Sequence, residues 1–98
     1  MVADSNPGRR SEDMAMWVAY ALRSEKDGWL YIGMTSNIER RFIEHNRGYN
    51  RSTKSRGPFN LIYVEECGSR TQARDREKYL KSGIGRDFLK RQGTIERG

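Results

Sequence analysis

The pattern of apolar and polar positions first predicts a β-hairpin. The runs "MWVAYALRS" and "WLYIGMT" are rich in β-branched and aromatic residues and flank the polar sequence "EKDG". Asp27 and Gly28 form the dipeptide that a two-residue type I′ turn prefers. A turn there pairs Ser24 with Tyr31, and it places the side chains of Tyr20 and Tyr31 on the same face of the sheet.

The next pattern predicts a helix. The sequence "SNIE" has the form of a capping box, with Ser36 as the N-cap and Glu39 three residues later, and Gly48 is a typical helix end. Four residues follow the i, i+3, i+4, i+7 spacing of one face: Ile38, Arg41, Phe42 and His45. Arg41 and the only histidine are thus predicted to face inward, where an unpaired polar group is costly.

The second half of the chain predicts a strand and further helices. The run "FNLIYVEEC" after Pro58 is a third strand, and Ser69 with Gln72 repeats the capping pattern. The inward face of this second helix is predicted to carry Ala73, Arg76, Glu77 and Leu80. Gly83 and Gly85 are predicted to end it, and "RDFLKRQ" is predicted to form a short third helix.

These elements predict an α/β fold in which a small, three-stranded, mainly antiparallel sheet is flanked by helices; the order of the strands stays open. Residues 1–15 are polar and lack both periodicities, so they are predicted to be a mobile tail. Residues 16–92 are predicted to form a single domain, and residues 93–98 a frayed C-terminus.

Composition narrows the class of partner. The chain has 98 residues with 19 Lys+Arg against 13 Asp+Glu, a net charge of +6 and a pI near 9.8, which favours an acidic partner such as nucleic acid. Cys67 is the only cysteine, so an internal disulfide and a thiolate zinc site are excluded. No apolar run approaches the length of a membrane span or a signal peptide, and a cytoplasmic protein is expected.

Five residues form a candidate catalytic set. Cleavage of a phosphodiester needs a base for the attacking water, positive charge near the phosphate and usually a divalent cation. These functions fit Tyr20, Tyr31, Arg41, His45 and Glu77. Each residue also has a structural interpretation: strand packing for the tyrosines, an arginine at the helix edge, a core histidine, and an ion pair for the glutamate.

The order of these residues resembles the GIY-YIG nuclease superfamily over about residues 17–89. Val18-Ala19-Tyr20 stands for the first motif and Tyr31-Ile32-Gly33 for the second. The segments "YIGMTSNIERRFIEH", "STK", "GPFNLIYVEE" and "AxxREKYLKSG" are similar to those of small stand-alone bacterial members, which are related to the N-terminal nuclease domain of the bacterial excision-repair endonuclease. The sequence departs from that pattern at Val18-Ala19 and at Met34, where the repair nucleases carry a lysine.

The resemblance implies a role for each residue of the set. Tyr31 or Tyr20 would be the general base, Arg41 would bind the scissile phosphate, His45 would assist proton transfer, and Glu77 would ligate a single Mg²⁺ or Mn²⁺. Substrate contacts are predicted for Gly33, Thr53, Lys54, Arg74 and Lys78. The basic residues of the second helix are equally consistent with a solvated face.

The resulting hypothesis is a metal-dependent endonuclease that hydrolyses DNA, with a role in DNA repair or recombination. The alternative is a catalytically weak nucleic-acid-binding module that acts with a partner protein. A monomer or a weak homodimer is expected. The form of the substrate, whether duplex, branched, damaged or single-stranded DNA or RNA, stays open.

Overall fold

The computed structural model describes residues 16–48 and 56–95. The elements follow in the order β1 (Trp17–Ser24), β2 (Leu30–Thr35), α1 (Ile38–Asn46), β3 (Phe59–Cys67), α2 (Arg70–Lys81) and α3 (Gly83–Lys90). The strands form one antiparallel sheet in the order β2-β1-β3, which confirms the predicted α/β class. The predicted mobile tail and the predicted contacts of Thr53 and Lys54 lie outside the described residues.

The register of the hairpin differs from the prediction by two residues. Leu22, not Ser24, lies opposite Tyr31, and Tyr20 lies opposite Gly33. Side chains alternate with a period of two along a strand, so a shift of two keeps every residue on its predicted face. Tyr20 and Tyr31 therefore still share a face of the sheet.

The cause of the shift is a longer turn than the predicted type I′ turn. The Ser24 N–H donates to the Trp29 carbonyl at 2.8 Å, and the Gly28 N–H donates to the Ser24 carbonyl at 2.9 Å. Inside the turn, the Ser24 hydroxyl accepts from the N–H groups of Lys26 and Asp27. These bonds favour the four-residue loop, and Gly28 takes the positive φ of 77° that this loop requires.

Helix α1 begins one residue later than predicted. Asn37, not Ser36, is the N-cap, and its side chain accepts from the Arg40 N–H at 3.0 Å. The Asn37 N–H is itself held by the hydroxyl of Thr35 at 3.0 Å. Asparagine and serine are about equally good N-caps, so this bond from the end of β2 selects between them. Gly48, at φ 79°, follows the last turn as predicted.

Helix α2 begins at the predicted cap. The Ser69 hydroxyl accepts from the Gln72 N–H at 3.1 Å. The Gln72 side chain reaches back to the N–H of Gly68 at 2.8 Å, one residue before the cap. Two of the N–H groups that a helix start leaves without partners are thus satisfied.

The glycines predicted to end α2 belong to α3. Helix α2 ends at Lys81, and Ser82 both follows it and caps α3, with its hydroxyl accepting from the Gly85 N–H at 3.2 Å. Gly85 is buried against α2, where a Cβ atom would lie 2.6 Å from the Leu80 Cα. The glycine is therefore required by the close packing of two successive helices.

The sheet separates two cores of different chemistry. The core under α2 and α3 is made of small and aliphatic side chains from Ala19, Ala21, Leu30, Ile32, Ile62, Cys67, Ala73, Leu80 and Leu89. The core on the α1 side contains Val18, Tyr20, Leu22, Phe59 and Leu61, and His45 is buried beside it. In the described parts of the chain, no helix is both long and apolar enough to cross a membrane.

A pair of hydrogen bonds ties the end of α1 to the start of β3. The Asn46 amide donates to the Phe59 carbonyl at 3.2 Å and accepts from the Phe59 N–H at 2.6 Å. The two residues are 13 positions apart in the sequence. They fix the position of the helix end that carries His45 relative to the sheet.

Candidate active site

A pocket of about 560 Å³ lies where β1, β2, α1 and α2 all contribute side chains. Among its lining residues are seven of the predicted site residues: Tyr20, Tyr31, Gly33, Arg41, Arg74, Glu77 and Lys78. Four others were not in the predicted site: Trp17, Met34, Arg70 and Lys81. The fold therefore brings together residues that are far apart in the sequence.

Tyr20 lies at the base of the pocket. Its side chain is only 1% exposed, and its hydroxyl is hydrogen-bonded to Nε2 of His45 at 3.1 Å. Gly33 lies directly opposite on β2, and a Cβ atom there would come within 2.7 Å of the Tyr20 hydroxyl. Gly33 thus has a steric role that the sequence did not reveal, because it leaves the space in which this hydroxyl lies.

Tyr31 is held by aromatic contacts on both sides. Its ring meets His45 edge-on, with centroids 4.5 Å apart, and Trp29 stacks on it at 6.2 Å. The Tyr20 ring is 6.4 Å away. Tyr31 is only partly buried, so it presents its hydroxyl end to the pocket more openly than Tyr20 does.

His45 lies behind the pocket and does not line it. It is 1% exposed and contacts Tyr20, Tyr31 and Phe59. The expectation that all five catalytic candidates line one open surface is therefore met by four of them. His45 can act on a reaction in the pocket only through the tyrosines.

The electrostatics of this pair favour neutral forms. Burial, with a smaller contribution from the nearby Arg41, lowers the pKa of His45 to about 4. Burial also raises the pKa of Tyr20 far above its ordinary value, and Tyr31 adds to the rise, while Arg41 opposes it only in part. At neutral pH a neutral phenol is therefore bonded to a neutral imidazole.

Arg41 and Glu77 reach the pocket from different helices. Arg41 of α1 is 40% exposed at its side chain and pairs with Glu44 at 3.3 Å. Glu77 of α2 is 17% exposed, and it is the sole carboxylate among the described lining residues. Its oxygens lie 3.1 Å from Lys81 Nζ and 3.7 Å from Arg74 Nε.

The rest of the lining is strongly basic. Five cationic side chains surround the single carboxylate: Arg41, Arg70, Arg74, Lys78 and Lys81. The Arg70 guanidinium lies over the Trp17 ring at 5.4 Å. Trp17 carries no local sequence signal for a site, since its position in the pocket depends on the packing of α2 against the start of β1.

The comparison with known families decides the identity of this arrangement. The model of the GIY-YIG catalytic domain matches residues 16–88. The chain belongs to the GIY-YIG family. The resemblance found in the sequence motifs is thereby confirmed.

Curated relatives support the assignment to this GIY-YIG family. The UPF0213 protein of Desulfotalea psychrophila is 41% identical over 75 residues, which cover 74% of this chain and 67% of the relative. The UPF0213 protein of Photorhabdus laumondii is 39% identical over 66% of this chain and 62% of its own length. The chain thus spans about two thirds of these two relatives. No solved structure matches it.

Membership in the GIY-YIG family, whose members are nucleases, gives the pocket a general chemical meaning. The second motif, Tyr31-Ile32-Gly33, contributes the aromatic ring at the pocket and the glycine that accommodates Tyr20. The first motif keeps only its tyrosine, and Ala19 faces the opposite core. The substitution of Val18-Ala19 therefore leaves the pocket unchanged.

The donor set fits a metal of the Mg²⁺ type. Within the described ranges, no group of three or more His, Cys, Asp or Glu side chains could enclose an ion. Mg²⁺ commonly keeps several water ligands and is bound through one or two carboxylates together with substrate phosphates. A lone glutamate in a pocket rich in phosphate-binding cations is consistent with that mode of binding.

Proposed function

We propose that this GIY-YIG protein is a divalent-metal-dependent endonuclease that hydrolyses phosphodiester bonds in DNA. One observation carries the proposal: a tyrosine bonded to a buried histidine, an arginine and a lone carboxylate converge on one basic pocket. Each group matches a requirement of phosphodiester hydrolysis.

Arg41 binds the scissile phosphate in this proposal. Its guanidinium lines the pocket and is only partly engaged by Glu44. A planar guanidinium can donate two parallel hydrogen bonds to phosphate oxygens, and its charge stabilises the additional negative charge of the transition state. The other cations of the pocket bind phosphates on either side of the cleaved bond.

Tyr20 acts as the general base with His45 as its proton acceptor. A phenol of raised pKa is neutral at pH 7, so it can take a proton from water only while it gives up its own. The neutral imidazole of His45, 3.1 Å away, can accept that proton at Nε2. Tyr31, which is more exposed, orients the attacking water.

Glu77 would hold Mg²⁺ or Mn²⁺, and the bound ion supplies positive charge at the scissile phosphate and at the leaving oxygen. The carboxylate lies in the same pocket as Arg41, and its side chain is largely shielded from solvent. Gly33, Arg74 and Lys78 lie where a bound nucleic acid would contact them.

The test is cleavage of labelled single-stranded, duplex and branched DNAs with Mg²⁺ or Mn²⁺. Wild type should cut at least one of them, and Glu77→Gln should lose cleavage while it keeps most of its DNA affinity. Glu66→Gln is the matched control, because Glu66 is an exposed glutamate on β3 outside the pocket. Binding by wild type without any cleavage would contradict the proposal and favour a binding module that acts with a partner protein.

A further inference from the structure

Both oxygens of the Glu77 carboxylate face cations of its own helix. Lys81, one turn later, places Nζ 3.1 Å from Oε2, and Arg74, one turn earlier, places Nε 3.7 Å from Oε1. The lysine is thus at hydrogen-bonding distance, whereas the arginine contributes a longer ion pair. The group that the proposed function assigns to the metal is therefore occupied when nucleic acid is absent.

The charges around Glu77 oppose the entry of a free divalent cation. Arg74, Glu77 and Lys81 together carry one net positive charge, and Lys78 adds a second at the same pocket. A metal ion must overcome this field and displace Lys81 from the carboxylate. A polyanion meets the opposite situation, because the same field attracts it.

An ordinary surface ion pair would not have this consequence. Glu and Lys at i, i+4 commonly pair on exposed helix faces, where both side chains are free to move. Here the Glu77 side chain is only 17% exposed and lines the pocket with Lys81. Both partners of the pair therefore face the space that the substrate enters.

We propose that Lys81 is an exchangeable counter-ion that holds Glu77 until nucleic acid binds. The proposal rests on the metal role of Glu77 given above. A phosphate that enters the pocket accepts Lys81 as its own partner and releases the Glu77 carboxylate for the metal. Nucleic acid and metal consequently strengthen each other's binding, and by linkage the factor is the same in both directions.

The first experiment measures Mn²⁺ binding by the free protein, from the decrease of the electron paramagnetic resonance signal of free Mn²⁺ at low salt. Lys81→Met should tighten Mn²⁺ binding roughly two- to fivefold, the range expected for loss of a competing ion pair of this exposure. Lys78→Met is the matched control, since it removes the same charge from the same pocket and no Lys78–Glu77 ion pair occurs among the described residues. It should change the affinity much less.

Glu77→Gln separates the two proposals. If Mn²⁺ binds Glu77→Gln as well as it binds wild type, Glu77 is not the metal ligand and the proposed function fails at that point. If binding requires Glu77 but Lys81→Met behaves as Lys78→Met does, the metal role stands and the counter-ion role of Lys81 is wrong. Unfolding curves of all variants check that each is folded.

A second experiment measures the coupling itself. Binding of a short fluorescein-labelled single strand is followed by anisotropy with and without Mn²⁺, in a Tyr20→Phe background that keeps the strand intact. Mn²⁺ should tighten DNA binding when Lys81 is present, and the gain should shrink in Lys81→Met. An equal gain in both proteins would overturn the proposal.

Discussion

The two sides of the sheet solve different problems. Under α2 and α3, the core residues of β1 and β2 are Ala19, Ala21, Leu30 and Ile32, which need no polar partners. On the α1 side the same two strands present Tyr20, Tyr31 and Gly33, and a histidine is buried against them. One side therefore contributes mainly stability, while the other holds the polar groups of the proposed chemistry.

The difference has a cost that the structure offsets locally. A buried hydroxyl or imidazole without a partner is destabilising, so the polar atoms on the α1 side must satisfy one another. The Tyr20–His45 bond does this within the core. The comparison implies that substitutions on the two sides should separate activity from stability.

The largest effect is expected for Tyr20→Phe. This change keeps the ring in the core but removes the proposed base, so cleavage should fall by about 10²- to 10⁴-fold under single-turnover conditions. The free energy of unfolding should fall by only about 1–2 kcal/mol, since one buried hydrogen bond is lost. Tyr31→Phe is the control, and a larger loss of cleavage there would make Tyr31 the base.

Leu89→Ala should have the opposite profile. Leu89 is fully buried under the sheet on the α2 and α3 side. Removing its side chain should lower the free energy of unfolding by about 3 kcal/mol, in the range found for buried leucines, as measured by urea denaturation. Cleavage per folded molecule should stay at the wild-type level. A parallel loss of activity would show that the two sides are not independent.

The pH dependence of stability tests the polar side directly. His45 has a pKa of about 4 in the folded protein and about 6.5 in an unfolded chain. Between these values the unfolded state binds more protons, so the free energy of unfolding decreases as the pH falls from 6.5 towards 4. The loss attributable to His45 should be about 3 kcal/mol.

His45→Gln supplies the reference for that measurement. The variant lacks the titrating group, so its unfolding curve should be flatter than that of wild type over the same pH interval. Carboxylates that titrate near pH 4 contribute equally to both proteins and cancel in the difference. Identical slopes would mean that His45 is not buried in its neutral form.

Gly33→Ala should have the smallest effect of the four. The new methyl group would meet the hydroxyl and ring of Tyr20, at a cost of about 1 kcal/mol in the free energy of unfolding, the lower end for overpacking because the contacted atoms belong to a side chain. Cleavage should fall modestly, because the hydroxyl must move away from His45. Gly93→Ala, where an added Cβ meets no atom within 4 Å, should leave both properties unchanged.

Periodicity predicted most of the fold and the faces of the residues. The third strand lies at the predicted residues 59–67, and Arg41, His45 and Glu77 lie on inward faces of their helices. Such features depend on local spacing alone. A shift of two residues in the hairpin left every face intact, which is why the error in register did not affect the placement of Tyr20.

The remaining features depend on interactions that spacing does not encode. The turn length was decided by the hydroxyl of Ser24, and the start of α1 by the hydroxyl of Thr35. The position of His45 behind Tyr20, rather than in the pocket, depends on how closely α1 packs on the sheet. The space that Gly33 leaves for a hydroxyl likewise appears only when the strands are paired.

The two bonds between Asn46 and Phe59 have a consequence for how this protein could diversify. They close the connection between α1 and β3 at its base, so the ends of that connection keep their separation whatever sequence joins them. Doubling the length of a flexible loop costs only about 0.6 kcal/mol in closure entropy. Insertions and exchanges of sequence can therefore accumulate between these two residues while the imidazole stays in place, which makes this connection the natural position for grafting a new binding specificity.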